Sequence, residues 1–167
     1  KNNYTSSIGL SKYNNERADQ TYVGYMYSNT IDTSYEDTIR NDNDSAVKIT
    51  LDNWYKTNIL DKGYANVVAD AGFCNDRSLS STSQNGYTND DPTSYASNKR
   101  VLNSTPTLIC QNASNDLFTL SGNAKGNGAL TYPIGLPTID EILMSGIVNK
   151  YLNRLTYNYF TSAYWTM

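Results

Sequence analysis

The sequence predicts an α+β domain in which two helices pack on short, mostly antiparallel strands joined by long loops. Three observations predict it. Apolar residues recur at helical spacing between Asp44 and Gly63, a helix-start signature stands at Thr138–Glu141, and brief Tyr-, Val- and Leu-rich runs are separated by stretches of Ser, Thr, Asn and Gly.

Residues 1–20 carry no clean period and read as an N-terminal arm or loop; residues 21–167 read as a single domain. The run TYVGYMYSNT (21–30) alternates in the manner of a strand, with Gly24 marking a bulge or a close backbone approach. Asp44 or Ser45 can cap the first helix, which Val47, Leu51, Trp54, Tyr55 and Ile59 carry on one face. Gly63 is its C-terminal stop. Val67-Val68 reads as a short buried strand, and residues 75–100 as a long polar loop with turns at Asn85-Gly86 and Asp91-Pro92. LICQ (108–111) and DLFTL (116–120) read as further short strands, with GNAKGNG (122–128) as the turn after them.

The second helix opens on a capping box. The Thr138 hydroxyl is expected to accept from the third helical amide while Glu141 reaches back to the Thr138 amide. Gly146 ends or interrupts this helix, and the tail YNYFTSAYWTM (157–167) reads as an aromatic strand.

Composition excludes whole classes of chemistry. The 167 residues contain no His, so Ser-His-Asp and Cys-His catalysis and zinc sites of the HExxH type are absent. Two Cys cannot make a four-cysteine zinc site. Thirteen basic residues against 16 acidic ones, with Lys99-Arg100 the one adjacent basic pair, leave no stripe for phosphate neutralisation, so no nucleic acid partner is expected. No apolar run is long enough to span a bilayer, and no membrane insertion or cofactor is expected.

Charged residues make up only 17% of the chain and Asn occurs 22 times, so neutral hydrogen-bonding groups must cover the surface, as in exported proteins. Leu, Ile, Val and Phe total 32, which leaves Tyr, at 15, to fill much of a thin core.

Cys74 and Cys110 enclose 35 residues. Bridged, they would contribute about 3–4 kcal/mol through the unfolded state; the alternative is two unrelated buried thiols. A catalytic thiol would lack a neighbouring base.

Several clusters have two readings each. Asn41–Ser45 alternates oxygen side chains as a calcium loop does, yet lacks the required Gly and distant Glu; the competing reading is a helix-capping loop. Asn89-Asp90-Asp91 is a solvated turn or a weak cation site. Asp76 and Arg77 are an ion-pair candidate, with Arg77 either facing a ligand or pinning the entrance of the 75–100 loop. Asp140 and Glu141 are adjacent carboxylates of the kind glycosidases use, but Glu141 is committed to the cap. Gly126-Asn127-Gly128 lacks the Lys-Ser/Thr of a phosphate loop. Tyr25, Tyr27, Trp54, Tyr55, Tyr157, Tyr159, Tyr164 and Trp165 either fill the core or stack on sugar rings. The candidate ligand contacts are Asp76, Arg77, Tyr87, Tyr95, Tyr164 and Trp165.

YPIGLPTIDEILMSG followed by YFTSAYWTM resembles the Leu-Pro-Thr-x-x-Glu helix start and later Tyr-Trp strand of C-type-lectin-like domains related to formylglycine-generating enzymes. FCNDRS, LICQ, GNGALTYPIGLPTIDEI and YWTM together are similar to surface proteins of gut-type Gram-positive bacteria. The resemblance implies a C-type-lectin-like fold, exported as part of a larger surface protein, with further strands completing the fold beyond Met167. It maps Thr138 and Glu141 onto the helix cap and Trp165 onto a core aromatic. The catalytic cysteines of those enzymes have no counterpart here, nor does the Glu-Pro-Asn calcium signature of lectins. The expected function is therefore a non-enzymatic surface module binding a glycan or protein partner, with a self-associating pilus or stalk subunit as the alternative.

Overall fold

The computed structural model describes residues 8–14, 22–28, 34–80, 93–121, 125–145 and 166–167. Within them the architecture is mixed α+β, with five α-helices and two antiparallel two-stranded sheets. The helices are α1 (Tyr35–Thr38), α2 (Ala46–Tyr55), α3 (Ala96–Asn103), α4 (Ala113–Asp116) and α5 (Ile139–Met144). Strand β1 (Met26–Tyr27) pairs with β2 (Asn43–Asp44), Met26 opposite Asp44; β3 (Phe73–Cys74) pairs with β4 (Leu117–Phe118), Phe73 opposite Phe118.

Ser45 caps α2: its backbone is extended and its Oγ accepts from the Lys48 amide at 3.1 Å. Asp44 lies in β2 and pairs with Lys48 instead. The face read from the sequence is the buried one, with Val47, Leu51 and Tyr55 each 4% exposed. The helix widens into a π turn over Lys56–Leu60, where Asp61 and Tyr64 donate to carbonyls five residues back, before Gly63 ends it at φ +75°.

Among the described residues the core is small and partly phenolic. Tyr25, Val47, Leu51, Phe118 and Leu130 form its centre, and Tyr25 meets Phe118 edge to face with ring centroids 5.5 Å apart. The fully buried Tyr25 hydroxyl donates to the Ile134 carbonyl at 3.3 Å, so the ring supplies apolar volume without an orphaned polar group. Lys48 is 1% exposed and held between Asp44 and Asp52, 3.0 Å from each. Tyr13 packs against this core and its carbonyl accepts from the Val47 amide, while Asn14 Nδ2 donates to the Tyr22 carbonyl and Leu10 stays fully exposed.

Gly24 makes the close approach its position suggested. Its φ is +109°, and a Cβ there would stand 2.6 Å from Asn75 Nδ2 and 3.0 Å from Arg77 Cδ.

Four sequence expectations require correction. Val67-Val68 is not a buried strand: Ala65–Val67 is a 3₁₀ turn and Val67 is 78% exposed, and among the described residues no strand pairs with it. LICQ forms no strand either, and Leu108 and Ile109 project outward. The 75–100 loop is structured at both ends: Leu79 bridges Tyr95, Ser80 donates to Ser94, and α3 starts at Ala96. Of the 21–30 strand, the described residues 22–28 pair in β1 at Met26–Tyr27, while residues 21, 29 and 30 lie outside the described residues. The turn residues 122–124, Gly146 and residues 157–165 of the aromatic tail lie outside the described residues. Thr166 and Met167 do not; Met167 exchanges backbone hydrogen bonds with Pro137 and Ile139.

Candidate functional site

Two ion-pair centres flank Cys74, and they divide the adjacent residues Asp76 and Arg77 between them. The inner centre belongs to Arg77, whose side chain is 3% exposed. Its Nε donates to Asp116 Oδ1 at 2.8 Å and its own amide to Asp116 Oδ2 at 3.0 Å. Nη1 reaches the Met26 carbonyl at 3.0 Å and Nη2 reaches Asn41 Oδ1 at 2.9 Å. Burial raises the Asp116 carboxyl, and the Arg77 charge works against that rise. The expected Asp76–Arg77 pair is therefore replaced by two separate pairs, and Arg77 is a buried tie between segments, not a ligand-facing group.

The outer centre is Arg100, in the last turn of α3. Its Nε and Nη2 grip Asp140 at 2.7 Å each, and Nη2 also donates to Asp76 Oδ2 at 2.6 Å. Asp140 Oδ1 accepts in addition from the Thr107 amide at 3.1 Å. These carboxylates raise the Arg100 guanidinium, the Asp140 hydrogen bond foremost, against the lowering effect of burial. The local sequence places both partners. Thr138 caps α5 by the expected box, with Thr138 N–H donating to Glu141 Oε2 at 2.7 Å and Glu141 N–H to Thr138 Oγ1 at 3.0 Å. That box fixes the first turn and turns Asp140 towards α3.

Arg100, Asp76 and Asp140 border a cavity of about 390 Å³ between α3, α5 and the loop 104–112. The Cys74–Cys110 disulfide forms part of its wall, and Leu108 and Ile109, 70% and 68% exposed, form an apolar lip. With Nε and Nη2 engaged, the Nη1 edge is the remaining donor face of Arg100.

Of the candidate contacts read from the sequence, Asp76 is brought to the cavity and Arg77 is withdrawn into the core. Tyr95 is half-buried and pairs with Leu79 ahead of α3. Tyr87, Tyr164 and Trp165 lie outside the described residues, as does Asn89-Asp90-Asp91. Asn41–Ser45 is the capping loop of its second reading: Ser45 caps α2, Asp44 pairs with Lys48 and Asn41 with Arg77. No group of three or more potential metal ligands forms among the described residues, and no described helix is long and apolar enough to cross a membrane.

Arg100, Leu108 and Ile109 were not among the sequence candidates. The partners of Arg100 lie 24 and 40 positions away, beyond any helical spacing; the one local signal was the adjacent Lys99-Arg100 pair.

Comparison with family models, with curated proteins and with solved structures finds no match to this chain. The site's chemistry therefore rests on its own geometry.

Proposed function

We propose that this chain is a non-enzymatic, exported surface module of C-type-lectin-like fold that binds a neutral glycan in the α3–α5 cavity. The observation that carries the reading is Arg100 held between Asp76 and Asp140 on the cavity wall. Such a lattice sets donors and acceptors side by side, which suits hydroxyl groups, each of which both donates and accepts. The carboxylates disfavour anions, while Leu108, Ile109 and Ile139 offer apolar surface to sugar C–H groups. The volume falls within the range of small-ligand sites. A non-enzymatic role is supported by the commitment of both α5 carboxylates to structural bonds, Asp140 to Arg100 and Glu141 to the cap. Export is supported by the Cys74–Cys110 bridge and the low charge content.

Saturation-transfer NMR with a panel of neutral mono- and disaccharides tests this reading. Binding that weakens on Arg100→Lys is expected; no saturation of the protein's ligands across the panel overturns it.

A second reading, a self-associating stalk subunit, draws on the outward-facing Leu102, Leu108 and Ile109. Size-exclusion chromatography with light scattering decides it: a monomer at high concentration removes it.

A further inference from the structure

We propose that the Cys74–Cys110 disulfide is a redox latch that holds one wall of the α3–α5 cavity in place. The proposal rests on that cavity being the binding site and adds how access to it is set.

The wall in question is the loop 104–112, which supplies Thr107, Leu108, Ile109 and Cys110 to the cavity. Burial does not hold it, because Leu108 and Ile109 face outward. Its entry is fixed: Ser104 adopts the left-handed conformation, Thr105 donates to the Arg100 carbonyl, and Thr107 donates to Asp140. Past Thr107, the Ile109 amide turns back on Thr107 Oγ1. Among the described residues, no hydrogen bond joins residues 108–111 to a distant segment. The bridge to Cys74 is thus the long-range tie of this stretch, and Cys74 is itself anchored in β3 opposite Leu117.

The rest of the site has other supports. Arg100 stays clamped by Asp76 and Asp140, α5 keeps its cap, and Arg77–Asp116 secures the opposite flank of Cys74. Both cysteines are half-buried and line the cavity. The co-reactant is a small dithiol. Its thiolate attacks one sulfur of the bridge, giving a mixed disulfide and releasing the other cysteine as a thiolate that takes up a proton. The second reductant thiol then displaces the bound cysteine. Two electrons and two protons pass to the protein, and the reductant leaves as its cyclic disulfide. The loop is freed between Thr107 and α4, and the cavity opens on that side.

The test is hydrogen exchange with mass-spectrometric readout on ligand-free protein. It compares the oxidised form, protein reduced by dithiothreitol at neutral pH without denaturant, and a Cys74→Ser/Cys110→Ser double variant. Reduction under native conditions, read as two iodoacetamide adducts, is the first expected result. Exchange at the Ile109 amide, the bonded amide of the freed stretch, should then accelerate about ten-fold or more while α2 and β4 stay protected. A bridge that resists dithiothreitol until denaturant is added overturns the proposal. So does unchanged exchange at Ile109, or loss of protection everywhere together, which would make the bridge a global brace. Because no ligand is used, failure here is separate from failure of the glycan reading, which is tested on oxidised protein.

Discussion

Arg100 and Asp140, 40 positions apart, meet through two hydrogen bonds of 2.7 Å, Nε to Oδ1 and Nη2 to Oδ2, and this two-pronged contact joins α3 to α5. A guanidinium has the shape for that grip and an ammonium does not. Arg100→Lys keeps the charge and loses one prong. It should lower stability by about 1–2 kcal/mol and weaken any cavity ligand about ten-fold or more. Urea denaturation beside ligand titration checks both; an unchanged affinity would remove Arg100 from the site.

Arg77→Met should be far more damaging, by about 3–5 kcal/mol, because it strands the fully buried Asp116 carboxylate. Replacing both partners, Arg77→Met with Asp116→Leu, should recover much of that loss. Chemical denaturation of the two variants and wild type gives the comparison, and a double variant no better than the single would show that Arg77's carbonyl contacts matter more than the pair.

Gly24→Ala and Gly63→Ala separate crowding from backbone strain. Both glycines have positive φ, but an added Cβ meets Asn75, Met26 and Arg77 at the first and nothing within 4 Å at the second. Gly63→Ala should cost about 1 kcal/mol, from conformation alone. Gly24→Ala should cost clearly more, about 2–3 kcal/mol, read as the difference in midpoints.

Asp52 supplies a pH signature. Burial raises its carboxyl above the ordinary 3.8, against the lowering effect of Lys48. The folded chain therefore holds this proton more tightly than the unfolded one. The resulting stabilisation is complete below the unfolded value and is lost as pH rises through the folded value. Asp52→Asn cannot titrate, so wild type should gain stability relative to it between neutral pH and pH 3.8. Thermal melts of both proteins across that range test the sign; a wild-type advantage that shrinks on acidification contradicts it.

What the sequence disclosed was local. Ser45, Thr138 and Glu141 announce helix starts because each bonds within its own first turn, and the α2 face follows from a 3.6-residue period. Helix α3 escaped notice for the opposite reason. Its preceding residue, Tyr95, makes no side-chain cap bond, it has no buried residue, and the arginine that ties it to α5 has remote partners. Val67-Val68 and LICQ misled because an apolar run says that a strand is affordable, not that a neighbour exists to pair with it. The cavity was half legible: Asp76, Thr138, Asp140, Glu141 and the two cysteines were singled out, whereas the lip and the guanidinium between the carboxylates depend on contacts across the fold.

The contacts of Arg77 also bear on the order in which the chain can fold. Its guanidinium is satisfied by Met26, Asn41 and Asp116, groups supplied by three separate stretches of the polypeptide. During synthesis the charge and its acceptors on Met26 and Asn41 emerge first, and the neutralising carboxylate arrives 39 positions later. Until then the arginine has every reason to remain in water. Nascent chains stopped short of Asp116 should thus lack fixed tertiary structure by near-ultraviolet circular dichroism, and an all-or-none transition should await the residues that follow it, Phe118 and Leu130 of the core among them.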